Sequence, residues 1–267
     1  MADRRWALIL AGALAGAATL AAPPPGEHSV TLRDRIGVEW RDELVHEELA
    51  FPAGVFTGRA VARVTSPDGQ AVTSQVSDVE RDPDDGSIRS CKVWFRTSLV
   101  AGQELTYTIR PGVEGVSGDG VKVQESPESV ELSTRSGGVI GIRLPGGAEE
   151  FAWPVEAEAV AGPVQGLLLP SGTWLGPGRI RAPFRVYGRR TQVTAAGPLF
   201  AEASVHYTFD VGEWWTFSAR VMAGCPMIVI RESLNTGHSG GTADTFDCFF
   251  TLPLSGGGFQ PTQVFYG

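Results

Sequence analysis

The sequence predicts an all-β protein of the barrel and sandwich type, and three observations carry that prediction. Beyond residue 28 the apolar residues recur at every second position, the period of a pleated strand rather than of a helix. Turn-forming pairs interrupt the alternation about every 8–12 residues. Glycine and proline are abundant, 34 and 18 of 267 residues, and both are costly inside helices. A hydrophobic share of 42% is enough for a core in one large or two ordinary domains and too high for a disordered chain.

Taken in order, residues 1–22 read as an export signal to be cleaved. Arg4 and Arg5 precede an uncharged run of Ala, Leu and Gly, Thr19-Leu20-Ala21 puts small residues at the positions a signal peptidase needs, and Pro23-Pro24-Pro25 breaks any helix. The run is short for a membrane span, so the expected location is secreted, periplasmic or cell envelope, with no span after cleavage. Residues 41–49 have a faintly helical look, or form a loop. Strands follow at 59–65, 71–76, 88–95 and 103–109, separated by Asp68-Gly69, Asp85-Gly86 and Ala101-Gly102. The Gly-rich stretch 111–130 marks a boundary, which gives a barrel-type domain over 23–126 and a sandwich over 127–267. Within the second part, 204–211 and 214–221 alternate as a hairpin. Pairing Val211 with Trp215 keeps one apolar face, which leaves Trp214 on a loop or rim. Strands are also expected at 228–232 and 246–252, and residues 263–267 read as a strand with no closing element after it, as in a piece of a longer protein.

Charge and cysteine content restrict the partners. The formal net charge is −8 and no Lys/Arg run exceeds the pairs Arg4-Arg5 and Arg189-Arg190, so the positive surface that nucleic-acid binding requires is missing. Cys91, Cys225 and Cys248 are too scattered for a zinc cluster or a disulfide scaffold. Cys225 and Cys248 flank one predicted hairpin and form the better candidate pair, although the hairpin register would place Cys225 opposite about position 253.

Four patterns bear on chemistry. Gly237-His238-Ser239-Gly240-Gly241 matches a nucleophile elbow, but a strand follows it instead of a helix and no histidine comes later; it reads as a hairpin loop. The acidic run 78–86 could hold calcium, yet its spacing fails the EF-hand pattern and suits a tight turn. Asp42, Glu43, His46, Glu47 and Glu48 form the densest titratable cluster, as useful to a solvated strand edge as to acid–base work. Among the tryptophans, Trp94 and Trp215 fall on apolar faces and are expected in the core, whereas Trp174 and Trp214 sit on loops and are candidates for stacking on sugars. Nothing in these patterns asks for a cofactor or a metal.

The order of motifs between 48 and 110 adds a resemblance. Phe51-Pro52-Ala53-Gly54, Asp68-Gly69-Gln70 with Gln75, Asp85-Gly86-Ser87, Trp94, Leu99-Val100-Ala101-Gly102 and Tyr107 follow one another. This series resembles the N-terminal RIFT-barrel domain of the exo-rhamnogalacturonan lyase-like family of secreted polysaccharide-degrading proteins. Residues 183–234 are similar to the β-sandwich that follows that barrel. The resemblance implies a RIFT-like barrel followed by an antiparallel β-sandwich, a polysaccharide partner of acidic, pectic type, and a C-terminal helical domain with the catalytic cleft, which these 267 residues do not contain. A lyase abstracts a proton beside a uronate carboxylate and needs a neutralising cation and a base. The polar faces of the strands offer His206 and Arg220 for substrate contact, with Trp214 at the hairpin rim and Trp174 on its loop. Arg231, Glu232 and His238 are further candidates. The competing reading is a non-catalytic carbohydrate-binding or envelope-interaction module.

Overall fold

The structure, a computed structural model, describes residues 26–134, 140–169, 171–180, 184–210 and 212–235. They form antiparallel sheets throughout, with one 3-10 turn at Ala157–Ala159. The fold class is all-β, as the periodicity predicts. The expected export signal at 1–22, the expected hairpin loop at 237–241 with His238, Cys248 and the strands expected at 246–252 and 263–267 lie outside the described residues.

The first unit packs two sheets over one core. Strands β1 (His28–Arg33), β7 (Glu104–Pro111), β3 (Ala62–Thr65) and β4 (Ala71–Val72) make a four-stranded sheet in that order. Strands β2 (Trp40–Ala50), β6 (Ile88–Leu99) and β5 (Ser74–Arg81) make a three-stranded sheet. Only Thr73 separates β4 from β5, so the chain turns from one sheet to the other across a single residue. Val64, Ile88, Val93, Phe95 and Ile109 are fully buried between the sheets, where apolar area removed from water contributes about 25 cal/mol per Å².

Residues 41–49 are neither helix nor loop but most of the edge strand β2, because each core-facing residue finds a partner on β6. A bulge at Asp42, in the left-handed region at φ 54°, is held by Arg96, which donates to both its carbonyl and its carboxylate. The acidic run is used locally: the Asp82 carboxylate accepts from the Asp84 amide and from Arg89, and that of Asp85 accepts from the Ser87 amide. Among the described residues no three His, Cys, Asp or Glu side chains converge as metal ligands.

The second unit is a sandwich. One sheet runs β13 (Trp174–Leu175), β12 (Gly166–Leu168), β10 (Gly141–Pro145), β9 (Ser129–Thr134), β8 (Val121–Glu125). The facing sheet runs β11 (Ala148–Glu156), β14 (Arg185–Ala196), β15 (Phe200–Phe209), β16 (Trp214–Met222), β17 (Ile228–Asn235). Leu132, Ile142, Tyr207, Trp215 and Phe217 fill the space between them, with the Tyr207 and Trp215 rings stacked 5.3 Å apart. Strand β8, N-terminal to residue 127, pairs with β9 in this unit.

The hairpin β15–β16 keeps the expected face, but the partner of Trp215 lies four residues before the expected Val211. It pairs Tyr207 with Trp215 and Thr208 with Trp214, so Trp214 opens β16 and is not on a loop. The physical reason is the position of the turn: the Phe209 amide donates to the Glu213 carbonyl and the Gly212 amide to the Phe209 carbonyl, with Gly212 at a positive φ of 79°, so the turn falls between Phe209 and Glu213, earlier than expected.

The units dock through side chains that local pattern does not reveal. The Gln75 amide, on β5, donates to the Phe200 carbonyl at 2.9 Å and accepts from the amides of Leu199 and Phe200 at 3.0 Å each. Gly197 makes room for it, since a Cβ there would sit 2.3 Å from the Gln75 Cδ. Trp94 is a correction to the expected core position: Val93 and Phe95 face the core, so Trp94 points to the other side of β6. There its ring meets Phe200 edge-on at 5.1 Å, packs against His46 at 4.4 Å and donates to the Ser77 hydroxyl at 2.7 Å.

Candidate functional site

A concavity in the sandwich lies on the outer face of the β13–β8 sheet, and its construction follows from strand register. In β9 and β10 the residues Val130, Leu132, Ile142 and Leu144 face the core, so Glu131 and Arg143 point outward. These two are cross-strand partners and their side chains pair at 2.7 Å. Across β10 the partner of Arg143 is Gly166. With no side chain at that position, the Trp174 ring of the edge strand lies over the backbone and reaches the Arg143 guanidinium, 4.3 Å from the ring centroid. A Cβ at 166 would come within 2.9 Å of Trp174 Cε3. Trp174 stands at the end of a tight turn closed by Leu169 and Thr173, so it is carried on a two-residue strand at a hairpin tip.

Around this row opens a cleft of about 680 Å³. Its walls include Ser126, Glu128 and Ser129 on one side and Gln165 and Pro177 on the other. Gln165 is held in place by donating to the Gly162 and Gly178 carbonyls. An aromatic surface, a guanidinium, two carboxylates, hydroxyls and an amide converge there, which is the equipment for fixing a small polyhydroxylated ligand. The Glu131 carboxylate is already engaged by Arg143, which suits hydrogen bonding better than proton transfer.

The other sequence candidates do not gather at this cleft. His206, Trp214 and Arg231 share the outer face of the opposite sheet, with His206 and Trp214 rings 5.7 Å apart and Arg231 opposite Ser218. His206 Nδ1 shares a 2.8 Å hydrogen bond with Thr216 Oγ1, and burial lowers the imidazole pKa below its ordinary value. Arg220 lies on that face too, but its guanidinium is committed: it pairs with Glu202 at 2.7 Å and lies over the Phe200 and Trp94 rings at 4.3 and 5.1 Å. It belongs to the contact between units. Glu232 is opposite the core residue Phe217 and so lies on the other face, where it remains exposed; partial desolvation raises its carboxyl pKa. The acidic cluster on β2 also splits, since His46 and Glu48 oppose Trp94 and Lys92, whereas Glu47 opposes Val93.

Of the cleft residues, only Trp174 is legible as a contact candidate from sequence. Arg143 and Glu131 occupy the polar positions of alternating runs, a detectable signal, but their meeting depends on which strands pair. Gly166 carries no local signal at all.

No family model matches the chain, and no curated protein matches it. Among solved structures, a glycosyl hydrolase family 38 protein from Enterococcus faecalis aligns over 78% of this chain and 31% of its own length, at 10% identity and a TM-score of 0.36.

Proposed function

We propose that this chain is the carbohydrate-binding β-portion of an exported polysaccharide-degrading protein, with a saccharide unit seated against Trp174. The observation that carries the reading is the cleft: one aromatic ring is fixed by Arg143 and ringed by Glu128, Glu131, Gln165 and serine hydroxyls. The aromatic face meets the C–H side of a pyranose, while the polar rim meets its hydroxyls. The motif series in 48–110 supports a pectic, rhamnogalacturonan-type polymer and a lyase context. In this reading the β-portion positions substrate, and proton abstraction is supplied by a helical domain outside these 267 residues.

Titration calorimetry with rhamnogalacturonan, polygalacturonate and neutral oligosaccharides tests it. Trp174→Ala is expected to weaken binding at least ten-fold, equivalent to about 1.4 kcal/mol, with the thermal midpoint little changed. Absence of binding to every glycan, or an affinity untouched by Trp174→Ala, overturns the reading. Uronate-dependent absorbance on pectic substrates, given by the full-length protein and lacking in these residues alone, separates the lyase context from a free-standing binding module.

A further inference from the structure

A second site stands on the outer face of the first unit's four-stranded sheet, remote in sequence from the Trp174 cleft. In β3 and β7 the residues Ala62, Val64, Tyr107 and Ile109 are buried, so Arg63, Thr65, Thr108 and Arg110 point outward. Register places Arg63 directly opposite Arg110 and Thr65 opposite Thr108, with Ser29 of β1 continuing the hydroxyl row. Two like charges opposed across a ladder destabilise a sheet unless an anion lies between or beside them. The protein supplies one such anion, because Glu27 pairs with Arg110. Arg63 is held differently: its Nε donates to the Glu114 carbonyl at 3.0 Å, and among the described residues its two Nη groups have no hydrogen-bond partner. The Arg pair and the threonines border a cleft of about 370 Å³, whose remaining wall is Glu27 and the small residues Gly69 and Ala71.

We propose that this cleft is an acidic-sugar subsite, in which Arg63 and Arg110 take the carboxylate of a uronic acid residue and Thr65 and Thr108 take its ring hydroxyls. The guanidinium fork matches a carboxylate in a bidentate geometry that a lysine cannot reproduce, and the open Nη groups of Arg63 provide it. Glu27 acts as the resident competitor, covering Arg110 when no ligand carboxylate is present. The proposal rests on the reading of the chain as a polysaccharide binder, and it adds a preference for acid over ester at a place distinct from Trp174.

Calorimetry of the full chain with oligogalacturonate and with its methyl ester tests the assignment. The acid is expected to bind about ten-fold more tightly than the ester. Arg63→Gln and Arg110→Gln should abolish that preference while leaving binding of the ester intact. Glu27→Gln should enlarge it, a gain that a misfolded variant cannot produce. Trp174→Ala should weaken acid and ester alike and keep their ratio, so loss of glycan binding at Trp174 and loss of the carboxylate subsite give different results. An acid preference unchanged in both arginine variants overturns the proposal. So does Arg63-dependent binding of inorganic phosphate with no acid preference among the saccharides, which would mark a free-anion site.

Discussion

The sharpest test of the architecture is the side chain of Gln75. It is 6% exposed, and its amide satisfies two backbone N–H groups and one carbonyl of the other unit. Gln75→Leu keeps most of the volume but orphans the amides of Leu199 and Phe200; the Phe200 carbonyl retains the Gly197 amide as a donor. Each unsatisfied buried donor costs roughly 1–3 kcal/mol, so the variant should lose about 2–6 kcal/mol. For a chain of this size that corresponds to a fall in thermal midpoint of roughly 5–20 °C. Differential scanning calorimetry should also show the single transition broaden or split as the units uncouple. Gln75→Glu gives a chemical signature: it preserves the acceptor but sets an oxygen against the Phe200 carbonyl, so it should be destabilised at neutral pH. It should recover in acid, where a protonated carboxyl donates again. A midpoint within about 1 °C of the native protein for Gln75→Leu, or a Gln75→Glu variant whose deficit does not depend on pH, refutes the latch.

Three further outcomes follow from particular contacts. Gly166→Ala should push the Trp174 ring off Arg143, because the new Cβ would lie 2.9 Å from the ring; glycan affinity falls about ten-fold while circular dichroism is unchanged. Arg220→Ala strips Glu202 of its cationic partner, leaving the Thr194 hydroxyl as a donor, and uncovers Trp94 and Phe200. With both charges only partly exposed, stability should fall by about 2–3 kcal/mol in urea melts, glycan binding should be unaffected, and Arg220→Lys should restore only part of the loss. His206 has a folded pKa below its ordinary value of 6.5, so the unfolded chain takes up its proton first as pH falls. Stability contributed by neutral His206 is therefore complete above that value and declines as pH drops through the window down to the folded pKa. His206→Gln should flatten this part of the profile of thermal midpoint against pH, and an unchanged profile would show that burial does not shift the group.

Much of this fold is legible in the amino-acid sequence. The two-residue period locates β3, β7, β15, β16 and β17, and the inward faces of β15 and β16, since alternation is imposed by the pleat itself. Turn residues mark the hairpins for the same local reason, and Asp68-Gly69 and Asp85-Gly86 both carry the positive-φ glycine their turns need. The same signals mislead where a neighbour decides. Residues 41–49 carry charges on both faces and look unlike a strand, yet as an edge strand β2 tolerates them. Trp94 is large and apolar, which suggests a core position, but its parity along β6 sends it to the contact between units.

The fold class and the identity of most outward-facing residues are thus properties of the chain taken one segment at a time. Which of those residues meet is not. Gln75 reaching Leu199 and Phe200, Arg143 lying under Trp174 across a glycine, and Arg63 standing opposite Arg110 all depend on strand order and on the docking of two units. Those are settled by long-range burial and hydrogen-bond satisfaction, which no local period encodes. Local alternation is enough to specify strands with polar outer faces. Which parts of those faces become the contact between units, and which stay open as clefts, follows from strand order and docking.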